Sequence, residues 1–142
     1  SKEYYSLWQG EELVSVFSVG ESRFEKNKFE IIRFCSKLNT IVIGGFGKLL
    51  KEAKKDYFEL YSYTNLRFFD GGVYKKYGKF VRRTKPGYFW VKKDKRISRY
   101  KTQKKLLTLL LDNFDENISE TQNMINNGYI KIFDCGNDLY LL

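Results

Sequence analysis

Histidine is absent from this 142-residue chain, proline and methionine occur once each, and cysteine occurs twice. Without an imidazole, the chain alone cannot run Ser-His or Cys-His nucleophilic catalysis, ligate a metal through histidine, or perform His-Asn-His nuclease chemistry. Two thiols are too few for a disulfide framework and, with no histidine beside them, a poor zinc set. Cys35 and Cys135 lie in the apolar contexts IIRFCSK and IKIFDCGN, which predicts two small buried side chains. With one proline and no repetitive segment, no long linker is expected. No apolar run approaches the roughly 18 residues of a membrane span, and the opening SKEYYSLWQG lacks the apolar core of a signal peptide. No membrane partner and a cytoplasmic location are therefore expected. Ser1 in place of Met points to a piece cut from a longer protein, whose other domains are expected partners.

What is present is 42% apolar residues and a net charge of +9. Residues 1–142 read as a single domain with a real core. The charge is uneven: Arg67 to Lys105 holds fifteen Lys or Arg against two acids, while the remaining residues carry eleven basic and fifteen acidic side chains. A polyanion partner is implied for one part of the surface. The same segment interleaves Tyr74, Tyr77, Phe80, Tyr88, Phe89, Trp90 and Tyr100 with its cations. Phosphate neutralisation beside aromatic faces is how nucleic-acid grooves are built, although these rings fit a core as well as a groove.

Along the chain, YYSLW and LVSVFSVG predict a β-hairpin, and FEIIRFCSK a further strand. In NTIVIGGFGKLLKEAKKDYFELY a β-branched run meets three glycines, after which Phe46, Leu49, Leu50 and Ala53 fall at helical spacing with Lys48, Lys51, Lys54 and Lys55 opposite. YFELYSYT predicts a returning strand, and GGVYKKYG a short helix ended by Gly78 in the left-handed conformation. KFVRRT and YFWVKK flank Pro86-Gly87 as a second hairpin. KTQKKLLTLLLDNF is helical by composition. NISETQNMINNG carries a Ser119-x-x-Gln122 capping box, an Ile118/Thr121/Ile125 stripe and a Gly128 stop, and YIKIFDCGNDLYLL closes the chain as a strand pair. The order predicts an α+β fold: a mixed, mainly antiparallel sheet flanked by helices.

The run Phe29 to Val81 resembles the core of the GNAT acyltransferase superfamily: a strand, a glycine turn opening a helix, another strand and then VYKKYGKF. Such a GNAT-like fold implies that Gly44, Gly45, Phe46, Gly47 and Lys48 cradle the diphosphate of acyl-CoA on free amides at a helix N-terminus. Val42 stands where that family carries Gln or Arg. The resemblance matches Tyr74 to the tyrosine that protonates the leaving thiolate. A narrower resemblance covers nearly the whole chain: ESRF, FEIIRFCSKLNTIVIGGFGKLLK, YTNLRFFDGGVYKKYG, KPGYFWV, SRYKTQKKLL and ETQNMINNGYIKIFDCGN are similar, in order, to the domain of phage-encoded putative (homing) endonucleases. Where that family commonly reads Asp-Arg-Arg-Trp, this chain has Asn65, Leu66, Arg67 and Phe68.

Two functions from different classes follow. The first is nucleic-acid binding, DNA ahead of RNA, with phosphates met by Arg67, Arg82, Arg83, Lys85, Lys92 and Lys93. Lys95, Arg96, Arg99 and Lys101 continue that set, and Tyr88, Trp90 or Tyr100 would stack on bases. The second is CoA-dependent acyl or related group transfer, acting on a nucleic-acid base or an amine, with Tyr74 as general acid and Glu30 as general base. Nuclease chemistry needs clustered carboxylates, whereas Asp70, Asp134 and Asp138 adjoin glycine or asparagine and read as turn formers. No metal is expected.

Overall fold

The computed structural model describes residues 2–142. In chain order it forms β1 (Lys2–Gln9), β2 (Glu12–Glu21), β3 (Phe29–Ser36), α1 (Gly45–Ala53), β4 (Tyr61–Asn65), α2 (Gly72–Tyr77) and β5 (Lys79–Arg83). It continues with β6 (Tyr88–Lys92), β7 (Lys95–Ser98), a 3-10 turn at Arg99–Thr102, α3 (Lys104–Leu110), α4 (Glu120–Asn126), β8 (Ile130–Phe133) and β9 (Asn137–Leu141). The fold is α+β, with helices beside mostly antiparallel sheets. It divides into two compact units, the first made of residues up to Thr84 together with Asn137–Leu142, the second of Lys85–Gly136.

The first unit holds a six-stranded sheet ordered β1-β2-β3-β4-β9-β5. Its one parallel pair, β3 with β4, shares a single bridge of Glu30 to Tyr61. The amphipathic pattern of α1 is realised as written: Phe46, Leu49, Leu50 and Ala53 are buried with Phe17, Val19, Ile31, Leu60 and Leu142. Lys48 and Lys51 stay exposed, as does Lys54. Removing the apolar face of a short helix from water, at about 25 cal/mol per Å², is what holds so short a helix in place.

In the second unit the sheet runs β7-β6-β8. Trp90, Leu107, Leu111 and Met124 form its core. Half of the capping box forms: Ser119 Oγ accepts from the Gln122 N–H at 3.1 Å, while the Gln122 side chain, instead of reaching back to Ser119, donates to Asn126 Oδ1 at 2.8 Å. Its stripe is displaced: Met124 and Asn123 face inward, while Ile125 is exposed. Asn123 clamps the loop before α4, accepting from the Asp115 N–H at 2.9 Å and donating to the Asp115 carbonyl at 2.8 Å.

Both later hairpin expectations are corrected. β5 pairs with β9 and β6 with β7 and β8, so Pro86-Gly87 joins two sheets instead of turning one hairpin. β8 and β9 likewise part into different sheets. Thr84 and Asn137 close the first unit where the second is inserted, the Thr84 N–H meeting the Asn137 carbonyl at 2.8 Å and Thr84 Oγ1 accepting from the Asn137 N–H at 2.9 Å. Both thiols are exposed and free. Cys35 alternates with Phe34, whose ring packs on Phe46, and so faces the other side of the sheet; Cys135 lies in the segment between β8 and β9.

Gly78 ends α2, but in an extended conformation (φ −139°) and not a left-handed one. Its constraint is space: a Cβ there would sit 2.5 Å from the Leu141 carbonyl oxygen. Backbone cannot move aside as a side-chain tip can, so Gly78→Ala is expected to cost about 2 kcal/mol as an overpacked site. Gly10→Ala, left-handed (φ 60°) but facing open space, should cost only about 1 kcal/mol. Chemical denaturation of the two variants checks that order; equal losses would show that crowding at Gly78 is relieved.

Candidate functional site

The glycine turn lies at the N-terminus of α1. Gly44 takes the left-handed conformation (φ 70°) as N-cap, and no side chain caps the helix. The Gly45 N–H closes the turn on the Val42 carbonyl at 3.0 Å, and the Gly44 carbonyl accepts from Lys48 at 3.0 Å. The Phe46 and Gly47 amides donate to no backbone carbonyl among the described residues. They stand at the positive end of the helix dipole, the arrangement that favours an anion. In front lies an open groove of about 460 Å³, bounded by Phe34, Ile41, Gly44, Val73, Lys76 and Tyr77. Phe46 does not face a ligand. Its ring is buried against Phe17, Phe34, Tyr74 and Tyr77.

Tyr74 and Glu30, the expected acid and base, are not brought together. The Tyr74 ring lies 5.9 Å from that of Tyr140, and Tyr140 stands opposite Ser62 in the β9–β4 ladder. Glu30 stands opposite Tyr61. Because neighbouring strand residues point to opposite faces, Glu30 and Tyr74 lie on opposite sides of the sheet. Glu30 is buried, accepts from Ser22 Oγ at 3.1 Å and faces Arg23 at 3.5 Å. That is the environment of a structural carboxylate, and the pairing of these two residues as general base and acid is withdrawn.

The expected phosphate contacts fall in both units. In the first, Arg67 is exposed, Arg82 approaches Glu25 at 3.4 Å, and Arg83 makes a two-pronged bond to Asp138 at 2.7 and 3.0 Å. In the second, Lys85, Lys93, Lys95, Arg96, Arg99 and Lys101 are exposed, and Lys92 is half-buried beside Tyr129. Among the described residues, every ion pair belongs to the first unit. The second unit's cations instead lie over rings: Arg96 is 3.9 Å from the centre of Phe89, and Arg99 is 5.2 Å from that of Tyr88. Of the three expected stacking rings, Tyr100 is 72% exposed. Tyr88 is half-buried under Lys131. Trp90 is 2% exposed and part of the core, so no base can reach it.

Sequence reasoning missed Asp138 as a structural partner. Instead of forming a turn, it sits buried in β9 opposite Arg83; the alternation of Asp138, Tyr140 and Leu142 was the available signal. Asp70 does shape a turn, accepting from the Gly72 N–H at 3.0 Å, and Asp134 Oδ1 accepts from Gly87 and Gly136 at 2.8 Å each. No family model and no curated protein matches the chain.

The hydrogen bonds from the Arg83 guanidinium hold the Asp138 carboxyl below its ordinary value of 3.8. A carboxylate whose pKa is depressed on folding contributes stability above its unfolded value and loses it as pH falls through the folded one. The stability gap between the protein and Asp138→Asn is therefore expected at neutral pH and should close as the pH drops below 3.8. Paired denaturation curves across that range test this; a gap unchanged by acid would place the carboxyl outside the pair.

Proposed function

We propose that this protein is a GNAT-like nucleic-acid-binding domain of the phage endonuclease type, gripping phosphates through the basic residues of its second unit. One observation carries the reading: Lys93, Lys95, Arg96, Arg99 and Lys101 crowd one hairpin and the turn that follows it, exposed and unpaired by any carboxylate among the described residues. In the first unit, by contrast, Arg23, Lys28, Arg82 and Arg83 pair with acids that fold the chain. Unneutralised cations close together repel one another, and a polyanion relieves that repulsion while releasing its own counterions. Cations lying over ring faces add flat surface beside the charge, which suits a strand with accessible bases. The GNAT-like part is supported by β3, the glycine turn, α1 and a parallel β4 that meets β3 at one end only.

Lys93 adds a second sign. It holds a left-handed backbone (φ 55°) between β6 and β7, where glycine would be unstrained. A cation kept where the backbone disfavours it is the kind of local cost found at binding sites. Lys93→Gly is accordingly expected to stabilise the fold by up to about 1 kcal/mol while weakening oligonucleotide binding. The binding itself should fall steeply with salt, since each phosphate contact to a single strand contributes a slope of roughly −0.7 in a log–log plot. Titration of a labelled oligonucleotide at rising salt decides it: a flat response rejects the reading.

A second reading, CoA-dependent group transfer, is favoured by the unoccupied Phe46 and Gly47 amides facing a groove with Lys76 at its rim. Coenzyme A at a hundred times its dissociation constant should stabilise the fold by about 2.7 kcal/mol. Unchanged melting at millimolar coenzyme removes this reading and leaves the first intact.

A further inference from the structure

A further cavity of the first unit is lined in part by two of the expected phosphate contacts, Arg67 and Arg83. It is a groove of about 810 Å³, of ligand-binding size, between the β4–α2 connection and β5. Three phenylalanines rise around it without cover: Phe68 is 65% exposed, Phe69 68% and Phe80 51%. Tyr140 forms its buried floor, with the Phe80 ring 5.9 Å away and nearly perpendicular. Three such rings in water cost apolar hydration that nothing in the sheet requires.

Between the rings stand three cations. Arg67 has its guanidinium carbon 5.2 Å from the Phe68 centre and no carboxylate partner among the described residues. Lys75 approaches the exposed Asp70 only at 3.6 Å, a weak water-screened contact. Arg83 is the fixed point. Its Nε and one Nη bond Asp138, whose side chain is 7% exposed, while its own side chain is 64% exposed. Two of five guanidinium N–H donors are thereby used for orientation, and three are left for a ligand. A planar donor held by a buried carboxylate has already lost the freedom that a phosphate would otherwise have to remove.

We propose that this groove is a single-strand nucleic-acid subsite, in which an unpaired base stacks among Phe68, Phe69 and Phe80 while its flanking phosphate is held by Arg83 with Arg67 and Lys75. The proposal rests on the nucleic-acid reading above and extends it from phosphate attraction to strand type. A duplex keeps its base faces stacked inside and can use only the cations; a single strand offers phosphates and free π-faces together. A polyanion without bases would meet the same charges and leave the phenylalanines wet.

The test uses the whole chain and compares a single-stranded oligothymidylate, a duplex of equal length and an abasic strand carrying the same phosphates. Phe68→Ala/Phe69→Ala alters two exposed rings outside regular structure, and its melting curve verifies the fold. The expected result is a loss of about tenfold or more for oligothymidylate, in line with base–aromatic stacking. Duplex and abasic binding should be unchanged by the substitution, and the native protein should bind the abasic strand more weakly than oligothymidylate. Photocrosslinking with 5-iodouracil in the strand should label the peptide carrying Leu66 to Gly72, a readout independent of the variant. Undiminished oligothymidylate binding in the variant, with crosslinks elsewhere, overturns the subsite while the function stands. Failure of the native protein to bind any of the three strands overturns both.

Discussion

The first unit depends on β9, five residues at the end of the chain that pair with β4 on one side and β5 on the other. Without it the sheet would lose its last two ladders, and β5 would have no neighbour. Backbone groups left unpaired inside a sheet cost about as much as lost hydrogen bonds, so this strand decides whether the second half of the sheet exists. Arg83 and Asp138 face each other across the β5–β9 ladder, Leu142 exchanges both backbone bonds with Leu60 at 2.8 and 3.4 Å, and the Leu141 carbonyl sets the space that Gly78 must fit. The closure entropy of so long a loop grows only slowly with its length, which makes an insertion as large as the second unit tolerable there.

That long-range pairing explains which parts of the fold were legible. Local patterns transferred well: the helical spacing of Phe46, Leu49, Leu50 and Ala53, the Ser119 cap, and the opening hairpin turned at Gly10. Pairing partners did not. KFVRRT and YFWVKK are both strands with a turn between them, and proximity in sequence makes a hairpin the natural expectation. Nothing local reports that KFVRRT finds its ladder in β9, more than fifty residues away, or that YFWVKK turns forward to pair with β7 and the distant β8. The same blindness joined β8 to β9. A domain inserted into a hairpin leaves two false hairpins in the sequence, one at each border.

The candidate site was legible as chemistry and illegible as geometry. The basic segment could be counted, but not divided: Arg82 and Arg83, just before the border at Lys85, pair with acids of the first unit, whereas the described cations beyond it form no ion pair. Aromatic residues were the most ambiguous class. Trp90 and Phe68 sit in similarly mixed surroundings, yet one is core and the other open, because exposure depends on which strand or loop the residue joins. Glu30 and Tyr74 failed as a pair by simple alternation. Period-two geometry was available for each strand separately, but relating their faces required the β4–β9 ladder that ties Tyr140 to Ser62.

The glycine turn shows how a motif can be fully accounted for without a ligand and still leave room for one. A Cβ on Gly45 would lie 2.9 Å from the Val42 side chain, and one on Gly47 would lie 2.5 Å from the Tyr77 hydroxyl, so close side-chain packing accounts for both. Gly44 meets nothing within 4 Å and is demanded only by its left-handed backbone. Three glycines thus have three structural reasons, and the motif by itself carries no weight for a cofactor. What carries weight are the two amides that folding leaves without acceptors, because they would exist whatever residues stood there. At the Arg83 groove the logic is reversed: the sheet explains the buried carboxylate and the orientation of the guanidinium, but it offers no reason for three uncovered phenylalanines. A feature that packing cannot explain argues for a ligand more strongly than a motif that packing explains completely.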